Sequence, residues 1–261
     1  MARLDAELVS RGIARSRQRA KEMILSGCVE VNGVTAKKPS QEIVPEDIIV
    51  SSEEEKYVGR GALKLEKAVT EFGLDLTGKV CVDIGASTGG FTDLMLKNGA
   101  AKVFAVDVGS GQLAEVLRND SRVVNMESTD IRSVTSEDIG GEAGFISADV
   151  SFISLRLILP KIYELLTDGG TAAVLIKPQF EAGREGVGKN GIVRDKSVHL
   201  RVLHEIDSFA AGLGFVCEKY IYSPVKGGSG NIEYLVKLRK TAGEQKVHDL
   251  RQLVGNAFSD L

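Results

Sequence analysis

The sequence predicts an α/β protein with a mostly parallel sheet, preceded by a small α+β domain. From about residue 61 onward, apolar strand-like runs alternate with helix-like segments, a pattern typical of parallel sheets. Before that point, short alternating strands surround an Asn-Gly pair, the strongest short hairpin signal. A length of 261 residues exceeds one average domain and favours two.

The first domain is predicted to hold one capped helix and a hairpin. Ser16 is placed to cap a helix over 17–26, Gly27 to end it, and Asn32-Gly33 to form the hairpin turn. The stretch "RGIARSRQRAK" carries five basic residues and no acidic one. Such runs are usually solvated helix faces, but the absence of acids favours contact with nucleic acid. The net charge of −3 gives no global attraction, so a nucleic acid would have to bind a local patch.

The polar stretch "SSEEEKYVGRG" is expected to link the two domains. The predicted divisions are an N-terminal domain at 1–51, a linker at 52–60, the α/β domain at 61–240 and a C-terminal amphipathic helix at 241–261 that carries Val247, Leu250, Val254 and Phe258. In the α/β domain, strands are predicted at 80–84, 102–106, 122–126, 144–149, 171–177, 215–222 and 232–239, and helices at 61–72, 89–98, 111–118, 154–166 and 196–213.

Several classes of protein are disfavoured by composition. Cys28, Cys81 and Cys217 are scattered and form no cluster with the histidines, which argues for a reducing compartment and against a metal site. No apolar run approaches the roughly 20 residues of a membrane helix, and "MARLDAELVSRG" does not resemble a signal peptide. We therefore expect a cytoplasmic protein without membrane or metal partners.

A glycine-containing loop follows the first predicted strand of the α/β domain, in "VCVDIGASTGGFTDLML". Such a loop is either a tight turn or a place where backbone N–H groups approach a ligand. Asp107 ends the next strand, 22 residues after Gly85, a distance that suits a ribose diol. Asp83 is similar to the acid that starts the methyltransferase loop, and Asp130 has the position that often faces adenine.

Together these features predict S-adenosylmethionine, and the lack of a G-x-G-x-x-G spacing argues against a nicotinamide cofactor. The residues expected at the cofactor are Asp83, Gly85, Ala86, Ser87, Thr88, Gly89, Gly90, Phe91, Asp107, Val108, Asp130 and Ile131.

Two strands of the predicted sheet end at a charged residue. Asp149 follows the run in "FISADVSFISL", and Lys177 follows "AAVLI", so both should lie at the sheet edge where such folds bind ligands. Lys64 in "GRGALKLEKAV" and Glu233 in "GGSGNIEYLVKL" are further candidates. A lone lysine on a helix or a glutamate at a strand end is usually solvated, and Asp149 with Lys177 could be a simple ion pair.

The order of these four residues resembles the K-D-K-E tetrad of FtsJ-type ribose 2′-O-methyltransferases. The stretch "RLDAELVSRGIARSRQRAKEMILSGCVEVNG" resembles the RNA-binding domain named after ribosomal protein S-four. Together they resemble the TlyA (hemolysin A-like) family of ribosomal RNA methyltransferases over nearly the full chain. The RNA-binding residues then expected are Arg3, Arg11, Arg15, Ser16, Arg17, Arg19 and Lys21.

The resemblance implies a Rossmann-like class I methyltransferase that uses S-adenosylmethionine to methylate the ribose 2′-hydroxyl of a cytidine in ribosomal RNA or ribosomal subunits. Lys177 would contact the hydroxyl, Asp149 would orient it, and Lys64 and Glu233 would balance charge and hold the ribose. Lys177 can act as a base only when neutral. Burial and Lys64 favour the neutral form, whereas Asp149 and Glu233 favour the charged form.

Three other functions remain open from the sequence. The first is a base-directed amino-methyltransferase, because "KPQF" is similar to an N-P-P-Y loop, although those loops normally follow the fourth strand, where this chain has "DVSF". The second is a membrane-active hemolysin, and the third is a non-catalytic RNA-binding or ribosome assembly factor. The loop "EAGREGVGKNGIVRD", with Arg184, Lys189 and Arg194, is either a mobile cover over the acceptor RNA or a plain surface connection.

Overall fold

The structure, a computed structural model, describes residues 2–14, 16–51 and 56–261. It divides into two compact units, Met1–Lys56 and Tyr57–Leu261. Arg15 and most of the predicted linker, at 52–55, lie outside the described residues. The two units are described separately.

The N-terminal unit packs two helices against short strands. Ser16 caps the second helix by accepting a hydrogen bond from Arg19 N at 3.2 Å, and Asn32 and Gly33, with φ of 52° and 78°, form the predicted hairpin turn. Both predictions are confirmed. The elements are β1 (Ala2–Arg3), α1 (Leu4–Ser10), α2 (Arg17–Leu25), β2 (Val29–Val31), β3 (Val34–Thr35), β4 (Glu42–Ile43) and β5 (Ile49–Ser51).

The C-terminal unit is built on a seven-stranded sheet with the order β11-β12-β10-β9-β6-β7-β8. Its strands are β6 (Val80–Ile84), β7 (Lys102–Val106), β8 (Val123–Met126), β9 (Ala143–Ala148), β10 (Leu166–Ile176), β11 (Phe215–Tyr222) and β12 (Tyr234–Lys240). All neighbouring pairs from β10 to β8 are parallel, and β12 is antiparallel to both of its neighbours. The predicted α/β fold with a mostly parallel sheet is confirmed.

Helices cover both faces of this sheet. They are α3 (Ala62–Phe72), α4 (Gly90–Lys97), α5 (Glu115–Arg118), α6 (Leu159–Leu165), α7 (Pro178–Glu181), α8 (Gly183–Gly186), α9 (Lys196–Gly212) and α10 (Leu250–Asp260). One face carries a core that includes Leu65 and Leu94, and the other a core that includes Ile162 and Leu203. Because both faces are covered, the strands are apolar on both sides, which explains their uninterrupted apolar runs.

Three predicted helices are shorter than expected. The helix predicted at 111–118 begins only at Glu115, because the Glu127 carboxylate accepts hydrogen bonds from Gln112 N at 2.5 Å and Leu113 N at 3.0 Å. The helix predicted at 154–166 is divided into a 3-10 turn and α6, which has proline in its first turn. The C-terminal helix begins at Leu250 after its Asp249 cap, so the prediction that it carries Val247 is wrong; that side chain is fully exposed.

Candidate active site

Four charged side chains meet at the carboxyl edge of the sheet. Asp149 and Lys177 directly follow the neighbouring parallel strands β9 and β10. Glu233 directly precedes β12, and because β12 runs antiparallel to β10, its start lies at the same edge. Lys64 reaches the group from the first turn of α3. The topology thus brings the four predicted catalytic residues together.

These side chains form a chain of alternating charge. Lys177 Nζ lies 2.5 Å from Asp149 Oδ1, and Lys64 Nζ lies 3.2 Å from Asp149 Oδ2 and 2.7 Å from Glu233 Oε2. Lys64, Lys177 and Glu233 are each less than a tenth exposed. Two cations and two anions cancel, so the cluster buries no net charge and avoids the main cost of placing ions in a low dielectric.

The two lysines of this cluster have different surroundings. Burial disfavours the charged form of Lys64, but the carboxylates of Asp149 and Glu233 outweigh it and raise the pKa of this ammonium. Burial likewise disfavours the Asp149 carboxylate, but Lys64 and Lys177 outweigh it and hold the Asp149 pKa below its ordinary value. Among the described residues, Lys64 contacts two carboxylates and Lys177 contacts one. Lys64 is therefore held as a cation between Asp149 and Glu233.

Ser151 is a member of this site that the sequence prediction missed. Lys177 Nζ donates a hydrogen bond to Ser151 Oγ at 3.0 Å. Ser151 lies two positions after Asp149 in the segment that leaves β9. The signal available in the sequence was this D-x-S spacing, but a serine in a loop has many ordinary uses, so the spacing alone could not assign it.

The glycine-rich bend before β12 makes room for Glu233. A Cβ at position 227 would overlap Glu233 Oε1, so a larger residue there would displace this carboxylate. Gln179 Nε2, just past the end of β10 at the same sheet edge, donates to Glu233 Oε1 at 3.4 Å. The sequence indicated a bend at these glycines but not that one of them faces a charged side chain.

The loop after α8 is tied to the same bend. Asn231 Oδ1 accepts a hydrogen bond from Val193 N at 3.0 Å, and Asn231 Nδ2 donates to Gly191 O at 2.8 Å. His199 Nε2 lies 3.0 Å from Val193 O, and burial lowers the pKa of His199, which favours the neutral ring. The sequence suggested either a mobile cover or a plain surface connection without elements of its own; the segment instead contains α8 and a 3-10 turn and is held by these buried contacts.

A cavity of about 480 Å³ opens beside the charged cluster, at the ends of β6, β7 and β9. It is lined by six of the predicted cofactor residues, namely Gly85, Ser87, Asp107, Val108, Asp130 and Ile131. Asp149 and Ser151 also line it, so the cavity and the charged cluster share a wall. The lining also includes residues that we did not predict, namely Gly109, Gln112, Thr129, Arg132, Val150 and Phe152.

Besides Asp149, the cavity wall carries the carboxylates of Asp107 and Asp130, and both accept hydrogen bonds. Asp107 accepts hydrogen bonds from Ser87 N and Gly109 N, each at 2.8 Å, which fixes it between the glycine loop and the end of β7. Each oxygen still has a lone pair that can accept a ligand hydroxyl. Asp130 is bound by the Arg132 guanidinium at 3.0 Å and caps its own turn through Arg132 N.

The remaining predicted cofactor residues, Asp83, Ala86, Thr88, Gly89, Gly90 and Phe91, are not among the residues that line the cavity. Asp83 is fully buried and accepts hydrogen bonds from Thr92 Oγ1 at 2.7 Å and from Ser147 Oγ at 3.0 Å. Ser147 is its register partner on β9. Burial raises the Asp83 pKa to about 6. Asp83 therefore joins β6, β9 and α4 beneath the glycine loop.

This buried carboxyl predicts a pH-dependent stability. Its pKa is about 6 when folded and near 3.8 when unfolded, so the folded state binds the proton more tightly and Asp83 destabilises the fold as pH rises from 4 to 6. At about 1.4 kcal/mol per pKa unit, this pKa difference lowers the free energy of unfolding by about 3 kcal/mol above pH 6. In urea unfolding, the stability of Asp83→Asn relative to wild type should rise by about this amount between pH 4 and pH 7. The exposed Asp168→Asn is the control, and equal pH profiles for wild type and Asp83→Asn would contradict the assignment.

Gly85 packs directly on the backbone that carries Asp149. Its φ is 81°, and a Cβ there would lie 2.6 Å from Asp149 O. Asp149 N in turn donates to Ile84 O at 2.9 Å. Glycine at 85 is therefore required both by its left-handed conformation and by the close approach. The start of the glycine loop and the segment that positions Asp149 form one packed unit.

The predicted RNA-binding arginines have acidic partners. Arg3 and Arg17 both bind the fully buried Asp5, at 3.0 and 3.1 Å, and Arg3 followed by Arg17 lowers the Asp5 pKa to about 2. Arg11 binds Glu7 at 2.8 Å, and Arg19 lies 3.6 Å from Glu22. Ser16 serves as the α2 cap, Lys21 is half-buried, and Arg15 lies outside the described residues. A basic run without local acids is thus partly neutralised by neighbours in the fold.

The described ranges contain neither a metal-binding group nor a membrane-spanning helix. Within 2–14, 16–51 and 56–261, no group of three or more histidine, cysteine, aspartate and glutamate side chains could hold a metal ion. In the same ranges no helix is both long enough and apolar enough to cross a bilayer.

Comparison with known proteins agrees with this geometry. The model of the FtsJ-like methyltransferase family matches residues 57–240, and that of the S4 domain matches residues 2–49. A Bacillus subtilis (strain 168) protein provisionally named rRNA methyltransferase YqxC is 49% identical over 250 residues, which cover 95% of this chain and 89% of that protein. The 16S/23S rRNA (cytidine-2′-O)-methyltransferase TlyA of Mycobacterium tuberculosis (strain CDC 1551 / Oshkosh) is 45% identical over 262 residues, which cover 99% of this chain and 98% of that protein.

A solved structure is similar over the same length. It is a protein from Streptococcus thermophilus, provisionally described as a hemolysin, with a TM-score of 0.79 and 44% sequence identity. The match covers 99% of this chain and 96% of that chain.

Proposed function

We propose, because this chain belongs to the FtsJ-like methyltransferase family, that it methylates the ribose 2′-hydroxyl of a cytidine in ribosomal RNA with S-adenosylmethionine as methyl donor. The observation that carries the proposal is the buried cluster of Lys64, Asp149, Lys177 and Glu233, which borders a cavity of about 480 Å³. The cluster offers a proton acceptor and fixed charges next to a space large enough for a nucleoside.

The cavity wall fits the proposed donor. Asp107 presents a carboxylate that is fixed by two backbone N–H groups, which suits the hydroxyls of a ribose. Val108 and Ile131 supply apolar contacts for a base, and Gly85 keeps the backbone close to the cavity. Bound S-adenosylmethionine supplies an electrophilic methyl group on a sulfonium.

The cluster residues have separate roles in this proposal. A hydroxyl is a weak nucleophile until a base takes its proton, so neutral Lys177 accepts the proton of the 2′-hydroxyl. Asp149, 2.5 Å away, stabilises the ammonium that forms. Lys64, whose pKa is raised by Asp149 and Glu233, remains a cation that fixes both carboxylates. Glu233 holds Lys64 at 2.7 Å and balances its charge.

Ribosomal RNA as the substrate is supported by the S4 domain match and by the name of the Mycobacterium tuberculosis relative. To test the function, the purified protein is incubated with tritiated S-adenosylmethionine and either bare ribosomal RNA or ribosomal subunits, and the RNA is digested to nucleosides. We expect 2′-O-methylcytidine. Methyl groups on the cytosine base would overturn the ribose assignment. If calorimetry detects binding of NAD but not of S-adenosylmethionine, the assignment of the cofactor is overturned.

The N-terminal unit is proposed to supply RNA affinity without taking part in catalysis. Replacing Arg15, Arg17 and Arg19 with alanine should weaken RNA binding and flatten its salt dependence, because each arginine on a phosphate contributes about 0.7–0.9 to the slope of log K against log salt. Arg17 and Arg19 should each contribute less than a full charge, since Asp5 and Glu22 share their charges. Filter binding at several salt concentrations measures the slope.

The control for this experiment is Arg122→Ala, which removes an arginine paired with Asp120 in the other unit. The affinity for S-adenosylmethionine should be the same for all variants. An unchanged slope in the triple variant would show that this segment is an ordinary solvated helix face.

A further inference from the structure

The contacts of the Lys177 amine point to one more residue. Its nitrogen has two polar neighbours at hydrogen-bond distance, Asp149 Oδ1 at 2.5 Å and Ser151 Oγ at 3.0 Å. The aromatic ring of Phe180 is farther away, with its centroid 6.0 Å from the nitrogen. Lys177 is 7% exposed, whereas Ser151 is exposed and lines the cavity.

The geometry of a neutral amine makes these two contacts informative. Neutral lysine has two N–H donors and one lone pair on a roughly tetrahedral nitrogen, and the protonated form has three donors. When Ser151 accepts one N–H and the Asp149 carboxylate attracts the other, both donors of the neutral amine are turned towards these oxygens. The lone pair then points in the one remaining direction. With Asp149 alone, the lone pair and the second N–H could exchange places, and the lone pair would have two directions available.

The backbone just before Ser151 is held in place. Ser151 follows Asp149, whose N–H donates to Ile84 O at 2.9 Å and whose carbonyl oxygen packs on Gly85. A hydroxyl on a backbone held this way can define a direction better than one on a free loop, because less entropy is lost when the contact forms.

We propose that Ser151 is a positioning residue that aims the lone pair of Lys177 at the ribose hydroxyl; this inference rests on the proposed function. In the step it serves, the O–H bond of the hydroxyl breaks and its proton forms the third N–H bond of Lys177. The oxygen electron pair forms the new bond to the methyl group, and the pair of the broken S–CH₃ bond stays on sulfur. Ser151 accepts the same N–H, and Asp149 stays paired with the amine, before and after the transfer.

The test compares Ser151→Ala with Ser151→Thr over a range of pH. Ser151→Ala should lower kcat about 10–100-fold, the scale of a small misplacement of a reacting group. KM for RNA and Kd for S-adenosylmethionine should stay within about twofold of wild type, since neither depends on the direction of a lone pair. Ser151→Thr keeps the hydroxyl, has room for its methyl group at this exposed position, and should restore most of kcat.

The pH profile separates positioning from a change in proton affinity. Loss of a hydrogen bond that stabilises only the charged amine would shift the pH at which the rate rises, but would leave the plateau unchanged. If instead the lone pair of Lys177 is no longer positioned, the plateau rate at high pH is itself lower. The control is Ser208→Ala, which removes an exposed hydroxyl on α9, outside the cofactor cavity.

Lys177→Ala is measured in the same assay. If Ser151→Ala keeps the wild-type plateau while Lys177→Ala is inactive, the inference about Ser151 is overturned and the proposed function stands. If Lys177→Ala is also fully active, the inference about Ser151 and the proposed function are both overturned. A Ser151→Thr variant that folds but is as slow as Ser151→Ala would also overturn the role of the hydroxyl.

Discussion

Lys177→Arg is expected to lower the rate of methyl transfer about 10²–10⁴-fold, the range for loss of a positioned proton acceptor. Arginine keeps the positive charge next to Asp149 but cannot give up its proton at accessible pH. Its planar guanidinium also has no lone pair for a hydroxyl proton. Single-turnover assays with saturating RNA and S-adenosylmethionine measure the effect on chemistry without product release.

Lys177→Ala should be equally slow, and both variants should still bind the methyl donor. Asp149 retains Lys64 at 3.2 Å in both variants, so its carboxylate is not left without a cation and the fold should remain stable. The matched control is Lys161→Arg on α6, where the lysine pairs with Glu164 on the surface. A wild-type rate for Lys177→Arg would exclude proton removal by this residue and would leave it an electrostatic role only.

Gly85→Ala is expected to destabilise the C-terminal unit by about 2–5 kcal/mol. Alanine in the left-handed region costs about 1–2 kcal/mol, and its Cβ would lie 2.6 Å from Asp149 O, an overlap that adds about 1–3 kcal/mol. For a unit of this size the melting temperature should fall by roughly 5–15 °C. Affinity for S-adenosylmethionine should fall as well, because the loop that lines the cavity must move.

Gly140→Ala separates the two costs. Gly140 has a φ of 69°, similar to that of Gly85, but a Cβ there would meet nothing within 4 Å. This variant should lose only the conformational part, about 1–2 kcal/mol. Equal losses in the two variants, measured by thermal denaturation, would show that Gly85 does not pack on Asp149 as closely as described.

The residues at the carboxyl ends of the central strands could be predicted from a general rule about parallel sheets. A charged residue that stops an apolar strand in a parallel sheet lies at one edge, so Asp149 and Lys177 could be placed together without knowing the fold in detail. Residue spacing alone does not reveal that β12 runs antiparallel, which is what brings Glu233 to that edge. Its placement in the sequence prediction therefore depended on a family resemblance.

Two expectations about single residues lacked the same information, a partner that is distant in sequence. Asp83 was placed at the cofactor because it precedes a glycine loop, but its register partner Ser147 lies on β9 and accounts for its burial. The arginines of α2 were read from a window without acids, whereas Asp5 binds Arg17 from α1. Local pattern gives the residue type and its element, but the register between strands and the packing of helices decide which partner it meets.

The antiparallel β12 also has a consequence for the order in which the site is assembled during synthesis. The cavity is lined by residues 84–158, so all of its wall has left the ribosome before β10 begins at Leu166. The charged cluster needs Glu233, and Glu233 reaches the sheet edge only after β12 has paired with β10. Because chains emerge from the amino terminus, a growing polypeptide has the residues of the cavity wall first and completes the charged cluster only when β12 joins the sheet.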